Sequence, residues 1–173
     1  MSKARLAVAA LALSTAGFAA WKANEGLTLE AVVPTKGDVP TIGHGNTYYE
    51  DGRKVRMGDT ITRQRADQLA RNILSQKESK FRACLPGASL TQGEYDAYLD
   101  FVGQYGEGAW CKSSMRRLVL ERRYVEACNA MLRYRFADGY DCSTKVNGKP
   151  NRRCWGVWTR QRERVAKCLA AQP

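Results

Sequence analysis

The chain has a single histidine and no Cys-x-x-Cys pair. Zinc centres draw on clustered cysteine and histidine, so this scarcity argues against one, and neither a metal nor a cofactor is expected. Acidic residues are also scarce, 17 against 28 Lys plus Arg, which leaves a formal charge of +11. A basic surface favours anionic partners such as nucleic acid, acidic lipid or the acidic polymers of a cell wall, and charge alone does not choose among them. Internal repeats and low-complexity tracts are absent. A hydrophobic fraction of 44% in 173 residues excludes wholesale disorder and a multi-span membrane protein. It suits one domain with a sizeable core, or two small lobes sharing a long helix.

A long hydrophobic run is also missing, though a short one opens the chain. Lys3 and Arg5 form a positive head, and Leu6 to Ala20 follow without a charge. That run is shorter than the roughly 20 residues of a comfortable span. Ala, Gly, Ser and Thr dominate it, and only Leu6, Val8, Leu11, Leu13 and Phe18 offer strong apolar surface. Extension through Trp21 places an indole at an interface. A positive start predicts an N-terminus held in the cytoplasm and a remainder that is exported. Two export readings compete: a signal peptide cleaved among the small residues Ala16 to Ala20, and an uncleaved anchor marginal enough to leave the bilayer later. A buried core helix is the third reading.

The six cysteines, Cys84, Cys111, Cys128, Cys142, Cys154 and Cys168, agree with export, since an even number suggests disulfides in an oxidising compartment. Six cysteines allow 15 pairings. Cys142 with Cys154 is the preferred local pair, because Asn147-Gly148-Lys149-Pro150 between them is turn chemistry.

Beyond the leader, residues from about Ala20 to Thr28 can continue a helix that places Glu25 near its end. From Ala31 to Tyr49, β-branched residues punctuated by Pro and Gly read as short strands with tight turns, among them Lys36-Gly37-Asp38. Thr60 or Thr62 then opens a helix in which Ala66, Leu69, Ala70, Ile73 and Leu74 recur at helical spacing, running to about Leu85. Thr91 with Glu94 makes a capping box for the next, with Tyr95, Tyr98, Leu99 and Val102 as its apolar face. Ser113 or Ser114 begins another, Tyr124 to Tyr134 follows, and Trp158 to Leu169 closes the chain. The predicted class is α+β and mainly helical: a small β-hairpin lobe, then a helical lobe.

Glu25 and Asp38, with Thr41 in Thr41-Ile42-Gly43-His44-Gly45, put two carboxyls and a hydroxyl on a helix end and the hairpin after it. Glycoside hydrolysis needs one protonated carboxyl for the leaving oxygen and a second carboxylate to activate water or attack carbon. A glutamic acid on a helix end suits the donor, and a hairpin can present its partner and a hydroxyl that positions water.

On these residues the chain resembles the phage-type lysozymes of glycoside hydrolase family 24, the endolysins. Glu25-Gly26 and Thr41-Ile42-Gly43-His44-Gly45 match that family's Glu-Gly and Thr-Ile-Gly-x-Gly. The resemblance continues through Met57-Gly58-Asp59-Thr60-Ile61-Thr62, and Cys154 to Arg162 looks like the family's Gly-x-x-x-Arg-Arg segment. It implies a lysozyme-like fold whose lobes are joined by a long helix. It also implies hydrolysis of the β-1,4 bond between N-acetylmuramic acid and N-acetylglucosamine in peptidoglycan, with inversion, by a monomer. Glu25 is then the acid, Asp38 the base, and Thr41 the holder of water. One departure stands out. The family's acid follows eight intervening residues after the Glu, where this chain has Pro34, and the interval to Thr41 is one residue longer. Asp38 is the acid left in the loop, although Asp beside Gly37 is also a common turn-former.

His44 fills the variable position between Gly43 and Gly45 and is expected to be structural or, with the two glycines, to contact substrate. Glu30 has a spacing that matches nothing. Arg116-Arg117, Arg122-Arg123 and Arg160 to Arg164 are expected on helices as mostly solvated faces. The leader resembles the signal-anchor-release segment of some endolysins, which implies residues 1–21 as the segment and 22–173 as the catalytic domain, tethered at the periplasmic face of the host inner membrane before release to the periplasm. A non-catalytic wall-binding protein and a nucleic-acid-binding protein are the rivals; the leader and cysteines disfavour the latter, and no nucleic-acid partner is expected.

Overall fold

Gly26 adopts φ +73° and sets the first boundary of the fold. Only glycine reaches that conformation without strain, so helix α1 (Thr15–Glu25) ends there, and Gly26 N–H donates back to the Lys22 carbonyl at 3.2 Å. Thr28 therefore begins a strand and does not extend the helix. The structure is a computed structural model and describes residues 4–35 and 37–173. Lys3 of the positive head and Lys36 of the predicted turn lie outside the described residues.

The described residues divide into two compact units, Thr15–Lys80 and a second made of residues 4–14 with Phe81–Pro173. In the first, α1 leads into an antiparallel hairpin of β2 (Thr28–Val32) and β3 (Thr41–Gly43), whose register shifts between Thr28 and Val32. The long helix α2 (Arg63–Ala83) follows. Thr62 opens it, its hydroxyl accepting from Arg65 N–H at 3.1 Å. Ala31, Ile42, Val55 and Leu69 form this unit's core, with Tyr49, Ile61 and Ile73 packed against them.

In the second unit the start of the chain is structural. β1 (Leu6–Ala7) pairs antiparallel with β4 (Ser89–Leu90), and a 3-10 turn at Val8–Ala10 follows. The uncharged run from Leu6 to Ala20 is thus a strand, a turn and the first part of α1, not one helix. Val8 and Leu11 are buried in this unit's core, while Ala9, Ala10 and Ala12 face solvent. Among the described residues no helix is long and apolar enough to cross a membrane.

Five helices build the rest: α3 (Gln92–Tyr105), α4 (Glu107–Cys111), α5 (Ser114–Leu120), α6 (Tyr124–Ala130) and α7 (Trp155–Ala170). The capping box at Thr91 and Glu94 is present at the start of α3, and Tyr95, Tyr98, Leu99 and Val102 are all buried. Phe81, Tyr98 and Phe101 surround Trp110, the Tyr98 ring lying 4.8 Å from it. Full burial of such side chains contributes about 1.5–3 kcal/mol each. Before α7, two small hairpins form, β5 (Phe136–Ala137) with β6 (Tyr140–Asp141) and β7 (Lys145–Val146) with β8 (Lys149–Pro150). Disulfides join Cys84 to Cys111, Cys128 to Cys168 and, as expected, Cys142 to Cys154.

The arginine expectation needs correction. Arg122 and Arg123 lie in the turn between α5 and α6, with Arg122 at φ +58°. Arg164 on α7 is buried and Arg160 half-buried, and both guanidiniums turn onto Asp100 of α3. Charge pattern along one helix does not reveal a carboxylate waiting on another.

Candidate active site

All the candidate residues fall in the Thr15–Lys80 unit. Glu25 is the last residue of α1 and is half-buried. The loop after β3 passes against its carboxyl: a Cβ added to Gly45 would lie 3.6 Å from Glu25 Oε2. Gly43 has φ +64°, and a Cβ there would meet the Ala66 methyl at 3.3 Å, so this position needs glycine to let the hairpin close on α2. Gly43 and His44 are buried, whereas Gly45 is exposed.

Thr41 is the first residue of β3, opposite Val32. Its hydroxyl donates to the Val32 carbonyl at 3.3 Å, which leaves the Oγ1 lone pairs to accept from a water. Asp38 is exposed in the loop joining the two strands, where its N–H donates to the Thr35 carbonyl at 2.9 Å and closes a turn. Pro34 is exposed in the same loop, and Glu30 is exposed in the middle of β2.

His44 is enclosed. Its Nδ1 lies 2.5 Å from the Gly26 carbonyl oxygen and its Nε2 lies 2.8 Å from Asp67 Oδ1. Trp21 packs beside it, the ring centroids 6.0 Å apart. Lys22 Nζ donates to the other Asp67 oxygen at 2.7 Å. The Lys22 hydrogen bond first, then that from His44, hold the Asp67 carboxyl below its ordinary value. Sequence reasoning missed Lys22 and Asp67, since each reads as an ordinary charge on a helix; the one available signal was a sole histidine beside two glycines.

Farther along the unit, Glu50 receives two hydrogen bonds from Arg65 and one from Asn72. The Arg65 contact is the main reason its carboxyl falls to about 2. Among the described residues no group of three or more His, Cys, Asp or Glu side chains could hold a metal ion.

The family model for phage lysozyme matches residues 22–155. The endolysin of Salmonella phage P22 is 31% identical over 125 residues, which cover 72% of this chain and 84% of that protein. Among solved structures, a P22 lysozyme variant superposes with a TM-score of 0.71 at 26% identity, over 92% of this chain and 99% of that one. The endolysin from Escherichia coli O157:H7 phage FAHEc1 gives 0.73 at 27% identity, over 94% and 96%. The muramidase domain of SpmX from Asticaccaulis excentricus gives 0.72 at 26%, over 94% and 99%. The fold is therefore lysozyme-like, α+β and mainly helical, and the chain belongs to the phage lysozyme family.

Proposed function

We propose that this chain is a phage endolysin of glycoside hydrolase family 24 that cleaves the β-1,4 bond between N-acetylmuramic acid and N-acetylglucosamine, with inversion, and so lyses the host. The observation that carries this reading is the Glu25 carboxyl at the end of α1, bordered by Gly45, in a unit that also holds Thr41 and Asp38 on the following hairpin. Glu25 donates its proton to the leaving oxygen. Thr41, its own proton engaged by Val32, accepts a hydrogen from the attacking water, and Asp38 takes the proton that this water loses. Gly43 and Gly45 shape the backbone that meets the glycan, and His44 lies behind it. The basic surface favours an anionic wall.

The leader completes the reading as a signal-anchor-release segment. Two features support an uncleaved leader. Arg5 Nη2 is 2.8 Å from Oε1 of the fully buried Glu94, and β1 supplies a pairing partner for β4. A bilayer about 30 Å thick would hold Arg5 on its far side and so deny Glu94 that partner. The anchored protein then lacks contacts that the folded one has, and release restores them.

Purified peptidoglycan tests the chemistry. Release of reducing sugar ends by the protein is expected, and saturable binding without release would establish the rival wall-binding reading. Asp38→Asn is expected to lower the rate ~100-fold or more, and Thr41→Ala to lower it less. Near-normal release by Asp38→Asn would remove Asp38 from the base role.

A further inference from the structure

His44 bridges two elements through its two ring nitrogens. The Gly26 carbonyl only accepts, so Nδ1 donates to it. Nε2 lies 2.8 Å from one oxygen of Asp67, whose other oxygen is bound by Lys22. The ring is thus lodged between a carboxylate on α2 and the C-terminal end of α1, whose exposed carbonyls carry partial negative charge. It is 6% exposed, and little water reaches it to substitute for either bond.

We infer that His44 is a positioning residue for Glu25. The ring clamps Gly26, the residue directly after the acid, to Asp67, while Gly45, directly after His44, borders the Glu25 carboxyl. One loop thus fixes the end of α1 from both sides of the carboxyl. The inference rests on the reading of Glu25 as the general acid. Asp67 on α2, itself bound by Lys22 of α1, is the charged partner of the ring, and Trp21 packs beside it.

Steady-state kinetics on soluble peptidoglycan fragments, with fold checked by circular dichroism, test the clamp. His44→Gln is expected to lower kcat on the order of 10- to 100-fold with KM within about twofold; a kcat within twofold of wild type would overturn the inference. Should that variant fail to fold, Asp67 decides: Asp67→Asn keeps an amide partner for Nε2 and is expected to retain more of kcat than Asp67→Ala, with KM within about twofold in both. A kcat within twofold of wild type in Asp67→Ala would also overturn it. Near-normal activity in Glu25→Gln would refute the acid assignment, whereas an inactive Glu25→Gln beside a fully active His44→Gln would overturn the clamp alone, so the two failures are distinguishable.

Discussion

Arg164 shows how much one side chain can carry. Its side chain is 2% exposed, with Nε 2.5 Å from Asp100 Oδ2, and Arg160 Nη2 binds the other oxygen at 3.0 Å. Burial pushes the Asp100 carboxyl up, but the two guanidiniums outweigh that, and the carboxyl lies below its ordinary value. A carboxyl lowered on folding stabilises fully above its unfolded value of about 3.9, and that contribution disappears as pH falls through the folded value. Asp100→Asn leaves Arg164 buried without its counter-charge and is expected to cost about 3 kcal/mol in urea unfolding at pH 7. The variant's stability is also expected to depend less on pH below about 4. A loss under ~0.5 kcal/mol would show the pair to be dispensable. None of this was legible in the sequence, because Asp100 lies 60 and 64 positions from its partners and the Arg-rich run reads as a solvated stripe. Glu25 was legible, since its Glu-Gly pair near an expected helix end and the Thr-Ile-Gly-x-Gly run both point to it.

At the scale of elements, local chemistry was readable and distant pairing was not. Thr91 with Glu94 announced α3, and its apolar spacing named the buried face. Helix α7 starts one turn before the predicted Trp158, because Trp155 N–H finds the Asn151 carbonyl at 2.9 Å. Predicted Tyr124 to Tyr134 divides into α6 and a 3-10 turn at Met131–Arg133. The leader was the hardest, for β1 exists only because β4 lies more than 80 positions ahead to receive it. Its weak hydrophobicity follows from serving two environments: Val8, Leu11, Phe18 and Trp21 are buried in the fold, while most of the alanines between them face water. Cleavage near Trp21 would remove Arg5, Val8, Leu11 and Phe18. Fully buried side chains of this size contribute about 1.5–3 kcal/mol each, so the loss would be large for a domain of ordinary stability. Intact-mass measurement after export is therefore expected to find residues 1–21 retained, and a mature chain starting near Trp21 would contradict the anchor reading.

For the molecule as a whole, the α+β class and a small hairpin lobe before a helical lobe followed from periodicity and turn chemistry. The association of residues 4–14 with the C-terminal unit did not, nor did two of the disulfides. Cys142 and Cys154 flank a visible turn, whereas Cys84–Cys111 and Cys128–Cys168 join positions 27 and 40 residues apart that only helix packing brings together. The hairpin unit holds every candidate for the chemistry, on α1, β3 and the loops beside them. The central claim is that Glu25 supplies the proton to the departing sugar. It is tested by comparing initial rates of reducing-sugar release from purified peptidoglycan for wild type and Glu25→Gln, matched for fold by circular dichroism. Loss of the general acid predicts a fall of ~100- to 10,000-fold; a rate within threefold of wild type would contradict the account.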